Sequence, residues 1–370
     1  MKAFGEIFID KTKYGVKVQT SEYSELGEHI IIDQGQSQIA GYTDREEGLF
    51  EEVPVIVFGD HTRIIKYVDK PFFLGADGVK VLRSKDENAN YKYLYYALKN
   101  AKIPNTGYNR HFKWLKNIQI NYPAVEKQAE IVAILDKVSS VIRKREDELS
   151  VLDDLIKARF VEMFGDPQIN PFGWDVVNIS EVVGGKISNG FFAKRDDYID
   201  DGNVSVLGVA NIVNRMYSKV DELPKTNADD KDIEKFEVRY GDMLFCRSSL
   251  VAEGIGKASI IPENVQDNIL FECHVIRLPL DLSKCVPEFM QTLSTMDFFR
   301  NQVVAQSKTA TMTTIGQEGI LRTDIILPPI DKQREFYDFV RQTDKSKAAV
   351  QKALDETQML FDSLMQEYFG

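Results

Sequence analysis

The sequence predicts an α+β protein: two α/β globules, each followed by a long helix, with the helices paired as an antiparallel coiled coil of pseudo-two-fold symmetry. Two observations predict this fold. A segment of 43 residues occurs twice without a gap, at 123–165 and at 328–370. The segments in front of the two copies share one order of predicted strands and helices.

Each repeat opens with the same short motif. After two intervening residues, Pro123 is followed by Glu-Lys-Gln-Ala-Glu and Pro328 by Asp-Lys-Gln-Arg-Glu. A register kept over the whole segment indicates a rod, because one inserted residue would rotate every later side chain by about 100°. A proline before the start, Gly165 or Gly370 at the stop, and no Pro or Gly between the motif and that stop predict a helix about 60 Å long in each copy. Apolar residues spaced by three and four form the seam: Ile131, Leu135, Val138, Ile142, Leu149, Leu152, Ile156 and Met163 in the first helix, and Phe336, Val340, Val350, Leu354, Phe361 and Tyr368 in the second.

The two globules are predicted to share the order strand, strand, strand, helix, strand. β-Branched and aromatic runs mark the strands, and a 3.6-residue period marks the helix. The predicted domains are a first globule at 1–122, a first helix at 123–165, a second globule at 166–327 and a second helix at 328–370. The matching runs are 52–59 with 241–247, 63–68 with 256–261, 79–84 with 273–279, 91–100 with 287–299, and 117–123 with 323–329.

Composition and charge narrow the class of protein. No apolar run approaches the ~18–20 residues that cross a bilayer, and the start lacks a secretory signal, so a cytoplasmic protein is expected. The net charge is −11. Residues 1–122 contain 17 basic and 16 acidic residues, whereas 166–327 contain 16 and 24. This acidic excess weakens long-range attraction of nucleic acid, but it does not exclude a local basic cleft.

No catalytic or metal constellation stands out in the sequence. The nearest approach to an adenine methyltransferase loop is Asn170-Pro171-Phe172, which lacks the second proline. Cys273 and His274 are neighbours on a predicted strand, so their side chains are expected on opposite faces. We therefore expect a chain without an active site, a metal or a cofactor of its own.

The sequence resembles the specificity (S) subunits of type I restriction–modification systems. The resemblance rests on IQINYPAVEKQAEIV (118–132) and IILPPIDKQREFY (325–337), which match the helix-entry signature of that family at both repeats. The first copy departs from the usual Leu-Pro-Pro with Asn-Tyr-Pro. Segments 58–82 and 107–116 resemble one class of recognition domain.

The resemblance implies a non-catalytic subunit that reads a bipartite target in double-stranded DNA. It implies two methyltransferase subunits that bind S-adenosylmethionine and methylate adenine N6. Motor-nuclease subunits that use ATP and Mg²⁺ would complete a restriction complex. All three cofactors are thus expected on partner subunits.

Loops rich in amides, hydroxyls and cations are the candidates for reading base edges and phosphates. Each of these residues also has the interpretation of an ordinary solvated turn. In the first globule the candidates are Gln34, Gln36 and Gln38, then His61, Thr62 and Arg63, then Tyr108, Asn109, Arg110, His111 and Lys113, with Lys116 behind them. In the second globule they are Lys186, Ser188, Asn189, Lys194 and Arg195, then Arg247, Ser248 and Ser249, then Gln306 and Lys308.

A scaffold is the alternative interpretation. The helices would then dimerise or dock partners, and the globules would bind protein or another ligand instead of DNA. The acidic second globule favours this alternative. Salt dependence separates the two, because affinity for DNA falls steeply with salt.

Overall fold

The computed structural model describes residues 1–75, 78–309 and 312–370, so residues 76–77 of segment 58–82 lie outside the described part. The chain divides into two compact units. Unit 1 comprises Met1–Asp147 with Gln351–Gly370, and unit 2 comprises Glu148–Val350. Each long helix therefore contributes one part to each unit. Within the described ranges, no helix is both long and apolar enough to cross a membrane.

Unit 1 is built on two sheets. Its strands are β1 (Lys2–Ala3), β2 (Phe8–Asp10), β3 (His29–Ile32), β4 (Gly41–Thr43), β5 (Val55–Gly59), β6 (Ile65–Val68), β7 (Phe72–Leu74), β8 (Val79–Ser84) and β9 (Gln119–Ile120), and its helices are α1 (Phe4–Ile7), α2 (Tyr91–Lys99), α3 (Phe112–Leu115) and the first part of α4 (Val125–Phe164). An antiparallel sheet has the order β2-β8-β5-β6. A second sheet has the order β4-β3-β7, in which β3 and β7 are parallel. Strand β1 pairs with β9.

Unit 2 repeats this topology. Its strands are β10 (Asp175–Asn178), β11 (Ser188–Asn189), β12 (Val204–Leu207), β13 (Lys225–Thr226), β14 (Asp242–Cys246), β15 (Ser248–Ser249), β16 (Ala258–Ile260), β17 (Ile269–Phe271), β18 (Val275–Pro279), β19 (Lys308–Thr309), β20 (Thr313–Thr314) and β21 (Asp324–Leu327), and its helices are α5 (Asp230–Phe236), α6 (Pro287–Ser294), α7 (Asp297–Ala305), α8 (Gln317–Leu321) and the first part of α9 (Ile330–Phe369). The orders β11-β18-β14-β16 and β13-β12-β17 match the two sheets of unit 1, including the parallel pair, and β10 pairs with β21 as β1 does with β9. The predicted matches of β5 with β14, β6 with β16, β8 with β18 and α2 with α6 are confirmed.

The predicted long helices are present. Helices α4 and α9 contain 40 residues each and begin two residues after Pro123 and Pro328. Helix α4 ends at Gly165, whose positive φ of 77° suits glycine, and its N–H donates to the carbonyl of Val161 at 2.8 Å.

The two helices run antiparallel in both units. In unit 1, Leu135 of α4 lies in one core with Phe361 and Met365 of α9. In unit 2 the partners are reversed, since the Phe160 ring of α4 lies 5.5 Å from the Phe336 ring of α9. An early part of one helix thus meets a late part of the other each time. The middle of the predicted seam is only half-buried, and burial is greatest where the helix ends join the globule cores.

The repeated motif makes one hydrogen bond in common at both helix starts. The side-chain amide of Gln128 donates to the carbonyl of Pro123 at 2.9 Å, and that of Gln333 to Pro328 at 2.8 Å. Both glutamines are buried. Each motif therefore closes its own helix entry, which accounts for its recurrence. The motif lysines and glutamates form the ion pairs Lys127–Glu130 and Lys332–Glu335.

Candidate nucleic-acid interface

In unit 1, the turn after β5 is joined to the loop before α3. Arg63 closes this turn with a positive φ of 63°. The Asp60 carbonyl accepts hydrogen bonds from the N–H of His111 at 2.8 Å and contacts its Nδ1 at 3.0 Å. The Asp60 carboxylate accepts the N–H of Phe112 at 2.7 Å. Asp60 is buried and was not among the sequence candidates, although its position within Gly-Asp-His-Thr-Arg marks a turn.

Gln34 brings a second cluster to the same turn. Its Oε1 accepts the N–H of His61 at 3.2 Å, and its carbonyl accepts the Thr62 hydroxyl at 2.6 Å. The His61 ring stacks on Tyr108, with centroids 4.6 Å apart and planes at 7°. Three clusters that are distant in sequence thus converge, and we name this region, Gln34 with residues 59–63 and 105–111, the unit 1 edge.

Burial divides the candidates at the unit 1 edge. His111 is 0% exposed, so it holds the turn and does not face a ligand; its expected role as a DNA contact is corrected to positioning. Tyr108 is 88% exposed, and Asn109 and Arg110 are exposed too. The Arg63 guanidinium donates to the carbonyl of Ile103 at 3.3 Å and is half-buried.

Two of the glutamines lie outside this convergence. Gln38 donates to the carbonyl of Tyr67, on the part of β6 that faces the start of β5. Gln36 is exposed, and no hydrogen bond joins it to the turn.

Lysines and aromatic rings flank the unit 1 edge. The ammonium of Lys113 lies 4.1 Å from the Trp114 ring, and that of Lys116 lies 4.7 Å from the Phe112 ring. The ammonium of Lys80 in β8 lies 5.1 Å from the centre of the same Phe112 ring. Lys80 was not among the residues predicted from the sequence. Its signal is a cation between two valines of a strand, where Lys80 and Arg83 are half-buried while the other residues of β8 are buried.

In unit 2, two clusters meet beyond the end of β14. The Arg247 guanidinium donates to the carbonyl of Cys273 at 3.1 Å. Ser248 in β15 and Lys308 in β19 both face Thr314 of β20, one on each side. This small sheet therefore joins the Arg247–Ser249 and Gln306–Lys308 clusters.

The third cluster of unit 2 is divided. Asn189 of β11 faces Ile276 near the start of β18, the end at which Arg247 lies. Within the described part of the chain, the Ser188 hydroxyl and the side-chain Oδ1 of Asn189 are buried without a hydrogen-bond partner. Lys194 and Arg195 follow and are exposed. Lys186 precedes β11, towards the other end of the sheet, and is not brought to this cluster.

The Cys273–His274 prediction was wrong in its structural detail. The two residues form the turn between β17 and β18, because β18 begins only at Val275. Burial raises the pKa of the Cys273 and Cys246 thiols, which keeps both protonated near neutral pH. Among the described residues, no group of three His, Cys, Asp or Glu side chains is arranged to hold a metal.

The candidate regions occupy equivalent places in the two units. The unit 1 region lies at the C-terminal end of β5. The unit 2 region lies at the C-terminal end of β14, the strand equivalent to β5. We name the region formed by residues 189–195, 247–249 and 306–308 the unit 2 edge. Each edge presents cations, amides and hydroxyls on loops, the groups that recognise phosphates and base edges.

Comparisons with known proteins agree with this architecture. Residues 9–151 match the family model of the type I restriction modification DNA specificity domain. The specificity subunit of the Escherichia coli type I restriction enzyme EcoR124I/EcoR124II is 30% identical over 162 residues, which is 40% of each chain, so the match spans less than half of that relative. A crystal structure of the type I restriction-modification S subunit from M. genitalium shares the fold, with 13% identity, a TM-score of 0.53, and coverage of 100% of this chain and 95% of that one. Residues 9–151 thus match a type I specificity domain, and the fold of the whole chain resembles that of a type I S subunit.

Proposed function

We propose that this chain reads a bipartite double-stranded DNA target, one half with each globule, for a type I restriction–modification complex in the cytoplasm. Specificity subunits are non-catalytic, and the chain's role is accordingly recognition. The observation that carries the proposal is the equivalence of the two edges. The same sheet end in two globules of one topology carries polar loops of different sequence, as expected if the globules read different half-sites.

The unit 1 edge and the two lysines that flank it supply both kinds of contact that sequence reading needs. Lys113 and Lys116 are exposed cations suited to phosphates. Thr62 and Asn109 are exposed polar groups suited to base edges. The buried Asp60 fixes the loops that present them, so the contacts are preorganised.

Partner subunits are proposed to dock on the two long helices. Leu155 of α4 and Leu360 of α9 occupy equivalent positions of the repeat and are 45% and 51% exposed. Large apolar side chains on a helix face that the chain itself does not cover are typical of interaction sites. An exposed leucine at the same position of both repeats suits two methyltransferase subunits, each using S-adenosylmethionine, with motor-nuclease subunits that use ATP and Mg²⁺.

Salt dependence tests DNA recognition against the scaffold alternative. The full chain with its methyltransferase partner should bind duplex DNA with an affinity that falls linearly on a log–log plot against salt. Affinity that barely responds to salt, or equal affinity for every sequence, would contradict the proposal.

Substitution of the exposed leucines tests partner docking. Leu155→Lys and Leu360→Lys should each reduce the methyltransferase stoichiometry from two to one, and the double variant should abolish assembly. Leu282→Lys is the matched control, because Leu282 is 44% exposed but lies off the helices. Full assembly by the double variant would contradict docking at these positions.

A further inference from the structure

Unit 2 contains a pocket that the recognition edge does not explain. Its volume is about 340 Å³, within the range of small-ligand sites. It lies between α4, α6, α7 and the start of β16. Four cations line it: Lys157, Arg215, Lys257 and Arg300.

These cations lack counter-charges. Within the described residues, none of the four forms an ion pair with a carboxylate. The carboxylate of Asp153 also lines the pocket, but it is paired with Lys347 at 2.6 Å. Three of these four cations belong to residues 166–327, where such a cluster is unexpected because that segment contains 24 acidic and 16 basic residues. Such a concentration of positive charge favours an anionic ligand.

Arg300 strengthens this interpretation. One guanidinium nitrogen donates to the carbonyl of Glu253 at 3.0 Å. The other, Nη1, is buried with no hydrogen-bond partner. Burial lowers the pKa of Arg300, the direction expected for a cation held away from water without an adjacent anion. A buried donor without an acceptor is costly unless a ligand or water supplies one.

The other polar groups of the pocket are already engaged. The hydroxyls of Thr292, Ser294 and Thr295 donate to helix carbonyls at 2.6–2.8 Å. The Gln291 amide donates to two backbone carbonyls, both at 3.2 Å. The cations are therefore the groups left to recognise a ligand. This indicates a negatively charged ligand rather than a neutral one that is held by hydrogen bonds alone.

The equivalent pocket of unit 1 differs in charge. Phe361 lines it where Ile156 lines the unit 2 pocket, and these residues are equivalent in the repeat. Asp136 and Glu146 also line it, and Asp136 forms an ion pair with Lys92 at 2.5 Å. The unit 1 pocket is lined by three cations and two carboxylates, and the unit 2 pocket by four cations and one carboxylate, so the excess of positive charge is larger in unit 2.

We propose that the unit 2 pocket is a phosphate-binding site, held chiefly by Arg215, Lys257 and Arg300. Guanidinium and ammonium groups together are the usual recognition chemistry for phosphate. The phosphate belongs either to a small phosphorylated molecule or to the backbone of bound DNA. The site does not depend on the proposed function, because it follows from unit 2 alone.

Calorimetry with inorganic phosphate tests the site on the full-length chain, with chloride balancing the ionic strength. Saturable binding in the millimolar range or tighter is expected. The Arg215→Gln/Lys257→Gln double variant should weaken it about 10-fold or more, since two charge-assisted contacts are lost. The control is Lys225→Gln/Lys231→Gln, which removes the same charge from two exposed lysines of unit 2 and should bind as the wild type does.

A DNA arm distinguishes the two sources of phosphate. If the pocket holds backbone phosphate, the double variant should lower the slope of log affinity against log salt by about 1–2 relative to the control. An unchanged slope with saturable phosphate binding assigns the site to a small ligand. If phosphate does not saturate and the slope is unchanged, the proposal is overturned. A wild-type chain that binds phosphate but no DNA would overturn the proposed function and leave this site standing.

Discussion

Glu288 provides a quantitative prediction for unit 2. This carboxyl is 1% exposed on α6. Its Oε1 accepts the Tyr217 hydroxyl at 3.2 Å, whereas its Oε2 is buried without a partner. Burial, with smaller contributions from the nearby acids Glu263 and Asp344, raises the pKa of Glu288 from 4.5 to about 7. Glu288→Gln removes the ionisation and keeps an acceptor for Tyr217.

The sign and size of the effect follow from that shift. Between pH 4.5 and about 7 the folded chain holds this proton and the unfolded chain releases it, so stability falls as pH rises through this window. At about 1.4 kcal/mol for each pKa unit, the group costs unit 2 about 3 kcal/mol at pH 8. The Glu288→Gln variant should therefore be more stable than the parent by about 2–3 kcal/mol at pH 8 and nearly equal to it at pH 4.5.

The assay is urea unfolding across pH, followed by the fluorescence of Trp174. The chain has two tryptophans, one in each unit, so a Trp114→Phe background isolates the unit 2 signal. Exposed Glu318→Gln is the control and should leave the pH profile unchanged. Burial also raises the pKa of Asp242, to about 6. The stability of the Glu288→Gln variant should therefore still fall with pH, but less steeply than that of the parent. If Glu288→Gln and its parent have the same pH profile, the buried-carboxylate reasoning is refuted.

Two further predictions concern the turn at the unit 1 edge and the helix entries. Asp60→Ala should destabilise unit 1 by about 1–3 kcal/mol, because the buried N–H of Phe112 loses its acceptor. Urea unfolding followed by the fluorescence of Trp114 measures this loss, with Asp60→Asn as the milder control. Equal stability of the parent and both variants would contradict the prediction. Gln333→Leu should cost more than Gln128→Leu in thermal unfolding, because Gln333 makes three side-chain hydrogen bonds and Gln128 makes one. The reverse order would refute this explanation of the repeated motif.

The sequence predicted the elements that local patterns determine. The gap-free repeat located both long helices, since helical register allows no insertion. Strand β5 was predicted from its apolar run, which is buried on both faces, and strand β8 from its β-branched and apolar residues. The loops at both edges were found because polar turn residues follow these strands.

The missed features depend on contacts between distant segments. Strands β3 and β7 contain four and three residues, and their parallel pairing has no local signature. His111 was predicted as a contact because its loop is polar, yet Asp60, 51 positions earlier, buries it. Phe160 was missed in the predicted seam, although it packs against Phe336 of α9 in the unit 2 core.

Mapping of methylated adenines tests the two-module account most directly. Random-sequence DNA is incubated with the full chain, its methyltransferase partner and S-adenosylmethionine, and modified sites are sequenced. We predict one bipartite motif for the wild type. Arg63→Ala should relax the base specificity of one half of the motif, and Arg247→Ala that of the other half. Each variant should lose about 1–3 kcal/mol of binding free energy at its own half-site. A single contiguous motif, or relaxation of the same half by both variants, would contradict the account.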